Sequence, residues 1–249
     1  MENKHFILLV IVIFSLTYLL NQSILIVSRT KVEKREIETE SSFESRLNEN
    51  ATFLSVPAVD RRGNGVIVNL SVEARPGNGR TLVDIDQILF WVDTQDSIRT
   101  AKFVAQNYTG LDLSKYDIIY SIQARASLLE GPSAGAALAI ATIFELEGKE
   151  INKNITITGT LDKNGKIGKV SGILEKAKAA KEANLKMLLV PRGQKYYTIY
   201  HEEEKCENLL FTTICRTETV TERVNVEEEV GISVVEVGDI EEALKYFAT

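Results

Sequence analysis

The octapeptide Glu130-Gly131-Pro132-Ser133-Ala134-Gly135-Ala136-Ala137 carries a hydroxyl nucleophile at what reads as the head of a helix. Glycine followed by proline fits an N-cap and a first helical position, which puts Ser133 in the first turn. Main-chain N–H groups there have no intrahelical acceptor, and the helix dipole is positive. Both features suit the oxyanion of a tetrahedral intermediate. The small residues around the serine leave room for a substrate backbone. Small-residue helix starts also serve plain packing, and the octapeptide alone does not choose between these uses.

A serine nucleophile needs a base. The chain has only two histidines: His5 precedes an apolar N-terminal run, and His201 lies in an acidic segment. Carboxylates are weak bases toward a hydroxyl. Lysine remains, provided burial lowers its pKa from about 10.4 toward neutrality. In the helix expected over 172–183, Lys176 shares a face with Ile173, Ala179, Ala180 and Ala183, whereas Lys178 and Lys181 lie on a more polar side. Spacing alone favours a surface lysine whose stem covers apolar neighbours.

The elements that must carry these residues alternate along the chain. Residues 66–74 settle into period-two alternation and read as a strand; Pro76-Gly77-Asn78-Gly79 supplies a hairpin turn, with 81–88 as the partner strand. A helix is expected over 96–107 and a strand over 116–126. After them come a helix at 131–146, a strand at 155–161, a tight turn at Asn164-Gly165, the lysine helix and a strand at 186–190. Asp239-Ile240-Glu241-Glu242 has the form of a capping box opening a last short helix. Strands and helices intermix, so the fold class is α/β (α+β), with mixed sheets and packed helices.

Taken in order, these pieces resemble the proteolytic domain of Lon-type serine peptidases. The family's D-G-P-S-A-G motif is similar to Glu130–Gly135, its T-G-[ES] strand to Thr158-Gly159-Thr160, and its G-x-x-E-K helix to Gly172-Ile173-Leu174-Glu175-Lys176. A glycine-turn-glycine stretch (165–168) and an A-A-x-x-A pattern running to Pro191 complete the series. The ordered matches cover residues 130–191, with Ser133 and Lys176 43 positions apart. The resemblance implies that Ser133 is the nucleophile and Lys176 the general base and then acid. It places the Thr158 hydroxyl beside the lysine ammonium. Glu130 stands where the family often has aspartate, one methylene longer, and Leu129 replaces a common lysine. The resemblance further implies polypeptide substrates, no cofactor, no metal and a homo-oligomeric ring.

Full Lon proteins carry an ATPase module, yet no G-x-x-x-x-G-K-[ST] motif occurs here. The expectation is therefore an ATP-independent endopeptidase acting on flexible or unfolded polypeptides. A rival reading keeps the fold as a non-catalytic, membrane-tethered binding or assembly module. Residues 6–27 contain no charge, and as a helix they would be roughly 33 Å long, enough to cross a bilayer. The expected organisation is a transmembrane anchor over 1–28, in contact with membrane lipid, a polar tether over 29–51, and the peptidase domain over 52–249. Lysines and arginines after the span favour a cytoplasmic domain, whereas Cys206 and Cys215 suit an oxidising compartment, so the membrane side stays open. Nine glutamates in 201–229 against Lys205, Arg216 and Arg223 mark an acidic excursion or hairpin containing both cysteines. A net charge of −6 argues against nucleic acid as a partner, and the scarcity of histidine and cysteine against a His/Cys zinc site.

Overall fold

Val68, Leu70, Val72 and Ala74, the alternate residues of the first expected strand, are all buried. The computed structural model describes residues 51–84, 92–124, 131–209 and 212–248, together with Tyr18 and Gln22. The chain divides into Met1–Arg46 and Leu47–Thr249. In the first unit Tyr18 and Gln22 are helical, and Gln22 Nε2 donates to Tyr18 Oη at 3.2 Å. The anchor expected over 1–28 and the tether over 29–51 otherwise lie outside the described residues, apart from Ala51. Among the described residues no helix is long and apolar enough to cross a membrane.

In the second unit, β1 (Thr52–Val59), β2 (Gly65–Pro76), β3 (Thr81–Asp84) and β4 (Tyr116–Ala124) form one sheet in the order β1-β2-β4-β3. Strand β1 was not expected. It pairs antiparallel with β2 at the sheet edge, where the missing N–H of Pro57 is tolerated. Helix α1 (Val92–Thr109) and helix α2 (Gly135–Glu147) pack together, and α2 also packs on β1 and β2. Ten consecutive residues of α2, Gly135 to Phe144, are buried, and Ala136 to Ala141 have no exposed surface. Glu145 ties α2 to the sheet by accepting from Thr52 N, Thr52 Oγ1 and Ala74 N at 2.8–3.0 Å.

The expected hairpin does not form. Strand β4 lies between β2 and β3, antiparallel to the first and parallel to the second. The physical reason is Asp117 at the start of β4. Its carboxylate accepts from Asn78 N, Arg80 N and the Arg80 guanidinium, and the connection wraps around it. Gly77 is required there because a Cβ would fall 2.3 Å from Asp117 Cγ. The Arg80 guanidinium, helped by the two main-chain N–H groups, holds the Asp117 pKa down at about 2.

The rest of the unit is a second, parallel sheet in the order β11-β8-β5, made by β5 (Ile155–Ile157), β8 (Met187–Pro191) and β11 (Ser233–Val237). Its helix α3 (Ile173–Glu182) buries Ile173, Ala177 and Ala180 against Leu188, Val190 and Val234. The strand expected over 155–161 is broken at Thr158-Gly159. Beyond the break, β6 (Thr160–Leu161) pairs with β7 (Ile167–Gly168) instead. The acidic excursion is a hairpin of β9 (Tyr196–Leu209) and β10 (Thr212–Asn225), in which Cys206 and Cys215 are cross-strand partners joined by a disulfide. Helix α4 (Val226–Val230) follows it. Helix α5 (Ile240–Phe247) ends the chain, with Asp239 capping Glu242 N at 2.8 Å as the sequence signature demands.

Candidate active site

Proline at 132 opens a single 3₁₀ turn, Pro132–Ala134, that leads into α2, so Ser133 sits in that turn and not in the α-helix proper. The two flanking glycines have different physical causes. Gly131 has φ +95° and ψ +161°, a backbone conformation that side chains disfavour. Gly135 permits close packing, since a Cβ would lie 3.0 Å from Leu161 N. The serine turn is stitched to the break in the strand. Gly159 N donates to Ser133 O at 2.9 Å, and Ala136 N donates to Gly159 O at 3.1 Å.

Thr158 is fully buried, and its own N–H donates to Leu189 O of β8 at 3.0 Å. Its hydroxyl donates to Ser133 O at 3.4 Å and accepts from Lys176 Nζ at 3.1 Å. The threonine thus touches both the serine turn and the lysine.

Lys176 is 3% exposed, which overturns the surface lysine that spacing favoured. Of the face expected to surround it, Ile173, Ala179 and Ala180 are buried, whereas Ala183 lies just past the helix end and is exposed. Lys178 and Lys181 are exposed. Burial lowers the Lys176 pKa from its ordinary 10.5 to about 8, and the neighbouring Glu175 carboxylate opposes part of that shift. The burial comes from elements distant in sequence. The start of β2 lies against α3 so closely that a Cβ on Gly65 would fall 2.0 Å from Glu175 O. Gly172, the N-cap of α3 with φ +68°, meets the end of β1 in the same way, 2.6 Å from Val59 Cγ2.

Ser133 and Lys176 line one cavity of about 250 Å³, whose walls include Val59, Thr160, Lys169 and Val170. Of these, Thr160 stood in the Thr158-Gly159-Thr160 motif, whereas Val59, Lys169 and Val170 were not singled out from sequence. The glycine-turn-glycine stretch before Lys169 was the available signal. Glu130 lies outside the described residues. His201 sits on the β9–β10 hairpin, 3.6 Å from Glu203, and does not line this cavity. Among the described residues, the one grouping of three metal-ligating side chains is Glu204, Cys206 and Cys215, and its sulfurs are bonded to each other. A larger cavity of about 510 Å³ near Tyr108, Lys163 and Asp239 holds neither Ser133 nor Lys176.

A serine and a buried lysine that line one cavity, with a threonine hydroxyl contacting both segments, are groups capable of proton transfer. The family model described as the Lon protease (S16) C-terminal proteolytic domain matches residues 96–238. The archaeal Lon protease of Pyrococcus abyssi is 27% identical over 135 residues, covering 54% of this chain and 13% of that protein. Its counterpart in Methanothermobacter thermautotrophicus is 28% identical over 134 residues, 51% of this chain and 20% of the relative. Lon protease 2 of Syntrophobacter fumaroxidans is 35% identical over 84 residues, 34% of this chain and 11% of the relative. The chain therefore spans at most a fifth of the length of these three relatives.

Proposed function

Because the chain belongs to the Lon protease (S16) C-terminal proteolytic domain family, we propose that it is a serine endopeptidase working through a Ser133–Lys176 dyad. The observation that carries this reading is the buried amine of Lys176, held by Thr158 Oγ1 in the cavity that Ser133 lines. A lysine with a pKa near 8 is neutral often enough at physiological pH to accept a proton.

In the proposed reaction, neutral Lys176 Nζ takes the proton of Ser133 Oγ as that oxygen bonds to the scissile carbonyl carbon. The oxyanion falls near the Ser133 and Ala134 main-chain N–H groups, the first that the 132–134 turn offers, since Pro132 has none. The C–N bond then breaks, and the leaving amine takes its proton from the Lys176 ammonium. Water then bonds to the acyl carbon as it loses a proton to the now neutral Lys176 Nζ; the C–Oγ bond breaks, and Lys176 returns that proton to Ser133 Oγ as the acid product leaves. Thr158 keeps Nζ aimed at the serine turn throughout.

The reading extends to flexible or unfolded polypeptides as substrates, to catalysis without ATP, to a membrane anchor over 1–28 and to a homo-oligomeric ring. Support for the anchor is the uncharged run 6–27, and for ATP independence the lack of a P-loop motif in the sequence. The test is casein hydrolysis and fluorophosphonate labelling by the full chain in detergent without ATP, beside Ser133→Ala and Lys176→Ala. Both variants should lose hydrolysis. Cleavage that survives Lys176→Ala refutes the dyad, and cleavage that requires ATP and an added ATPase refutes autonomy. Carbonate extraction of membranes tests the anchor, and sedimentation in detergent tests the ring.

A further inference from the structure

One wall of the Ser133–Lys176 cavity is the segment Lys169-Val170-Ser171, bracketed by Gly168 and Gly172. The segment belongs neither to β7, which ends at Gly168, nor to α3, which starts at Ile173. Both glycines serve close approach, since a Cβ on Gly168 would lie 2.4 Å from Thr160 Oγ1 and one on Gly172 2.6 Å from Val59 Cγ2. The same lack of a side chain leaves the backbone free to turn at each end of the wall. Packing of the Val170 side chain on the α3–β8 core restrains it from one direction. Its main chain needs a second hold.

Gln194 provides that hold. Val170 N donates to Gln194 Oε1 at 2.9 Å, and Gln194 Nε2 donates to Val170 O at 2.6 Å. One side-chain amide thus satisfies both main-chain groups of a single residue, the exchange that an opposite residue makes in an antiparallel ladder. Gln194 is itself well fixed. The turn Pro191–Gln194 closes with Gln194 N on Pro191 O at 3.1 Å, with Gly193 at φ +79° in the third position. The next residue is anchored by Lys195 N donating to Glu236 Oε1 at 2.8 Å. Strand β8 therefore locates both the Lys176 partner Thr158, through Leu189 O, and the cavity wall at Val170, through the turn after Pro191 and Gln194.

We propose that Gln194 is a positioning residue of the peptidase, holding the Lys169–Ser171 wall at the distance from Ser133 that seats the substrate main chain. This rests on the peptidase reading above. Gln194 does not line the cavity, so its effect is on the seat and not on proton transfer. The experiment compares the full wild-type chain in detergent with Gln194→Met, which has similar length and no amide. Steady-state hydrolysis of a fluorogenic peptide is measured beside the rate at which a small fluorophosphonate labels Ser133. The peptide KM should rise roughly tenfold or more with kcat within about threefold, while labelling keeps the wild-type rate. An unchanged KM overturns the assignment of Gln194. So does loss of labelling together with hydrolysis, which would make Gln194 a residue of the fold. A wild-type chain that neither labels nor cleaves overturns the peptidase reading, and this one with it.

Discussion

Replacing Lys176 by methionine should leave the protein inactive yet more stable near neutral pH, and the gain should fade as pH rises. The buried amine has a folded-state pKa of about 8 against an ordinary 10.5. Between those values the unfolded chain binds more protons than the folded one, so wild-type stability rises with pH across that window. Below pH 8 the difference approaches 2.5 pKa units, which is roughly 3 kcal/mol of destabilisation from holding an ammonium in a dry site. The same arithmetic leaves about 2 kcal/mol at pH 9 and about 1 kcal/mol at pH 10. Losing the Lys176–Thr158 hydrogen bond removes about 1 kcal/mol of the gain at every pH. Denaturant unfolding of both proteins at pH 7, 9 and 10 should therefore show their stability difference shrinking by about 2.5 kcal/mol from end to end. In parallel, wild-type kcat/KM should rise about tenfold from pH 7 to 9, tracking the neutral fraction of the amine, with a midpoint near 8. A stability difference that does not change with pH would refute the argument. A rate midpoint near 10 would refute it too, because either result means that the ammonium is solvated.

Thr158→Val, close in shape, removes the hydroxyl between Lys176 Nζ and Ser133 O; kcat should fall roughly 10- to 100-fold, and Thr158→Ser should restore most of it. Asp117 is held well below the usual carboxylate range by Arg80, so it adds stability above pH 3.8 that disappears as pH falls to about 2. Acid titration of unfolding should accordingly show a shallower loss over that window in Asp117→Asn than in the wild type. The β9–β10 hairpin makes few contacts outside itself. Replacing Cys206 and Cys215 by serine should therefore speed hydrogen exchange within 196–225 while leaving exchange of α2 and β8 at the wild-type rate.

Local order was legible in the residues, and motif order named the candidate reacting groups. Pro132 after Gly131 fixes the entry to α2, and Asp239 with Glu242 fixes the start of α5. Asn164-Gly165 makes its turn with Gly165 at φ +78°. Such features depend on a few neighbouring φ/ψ values and short hydrogen bonds, so neighbours in sequence suffice to specify them. Ser133, Thr158 and Lys176 were named from motif order; in the structure the Thr158 hydroxyl bonds both Lys176 Nζ and the Ser133 main-chain oxygen, and Ser133 and Lys176 line one cavity. Pairing partners were not legible in this way. The turn residues at 76–79 suit a hairpin, but their use here is to pass around Asp117, which lies some forty positions later and belongs to the strand that comes between. Nor could spacing tell a buried lysine from a snorkelling one. Helical periodicity says which face Lys176 shares, whereas its burial depends on partners such as Val59 of β1, which lines its cavity, and Gly65 of β2, which lies against the neighbouring Glu175, more than a hundred residues upstream. The same holds for the wall clamped by Gln194, whose two hydrogen bonds join segments 24 positions apart. The candidate groups are written locally in residue types, while the burial and distances that the proposed chemistry needs come only from long-range packing.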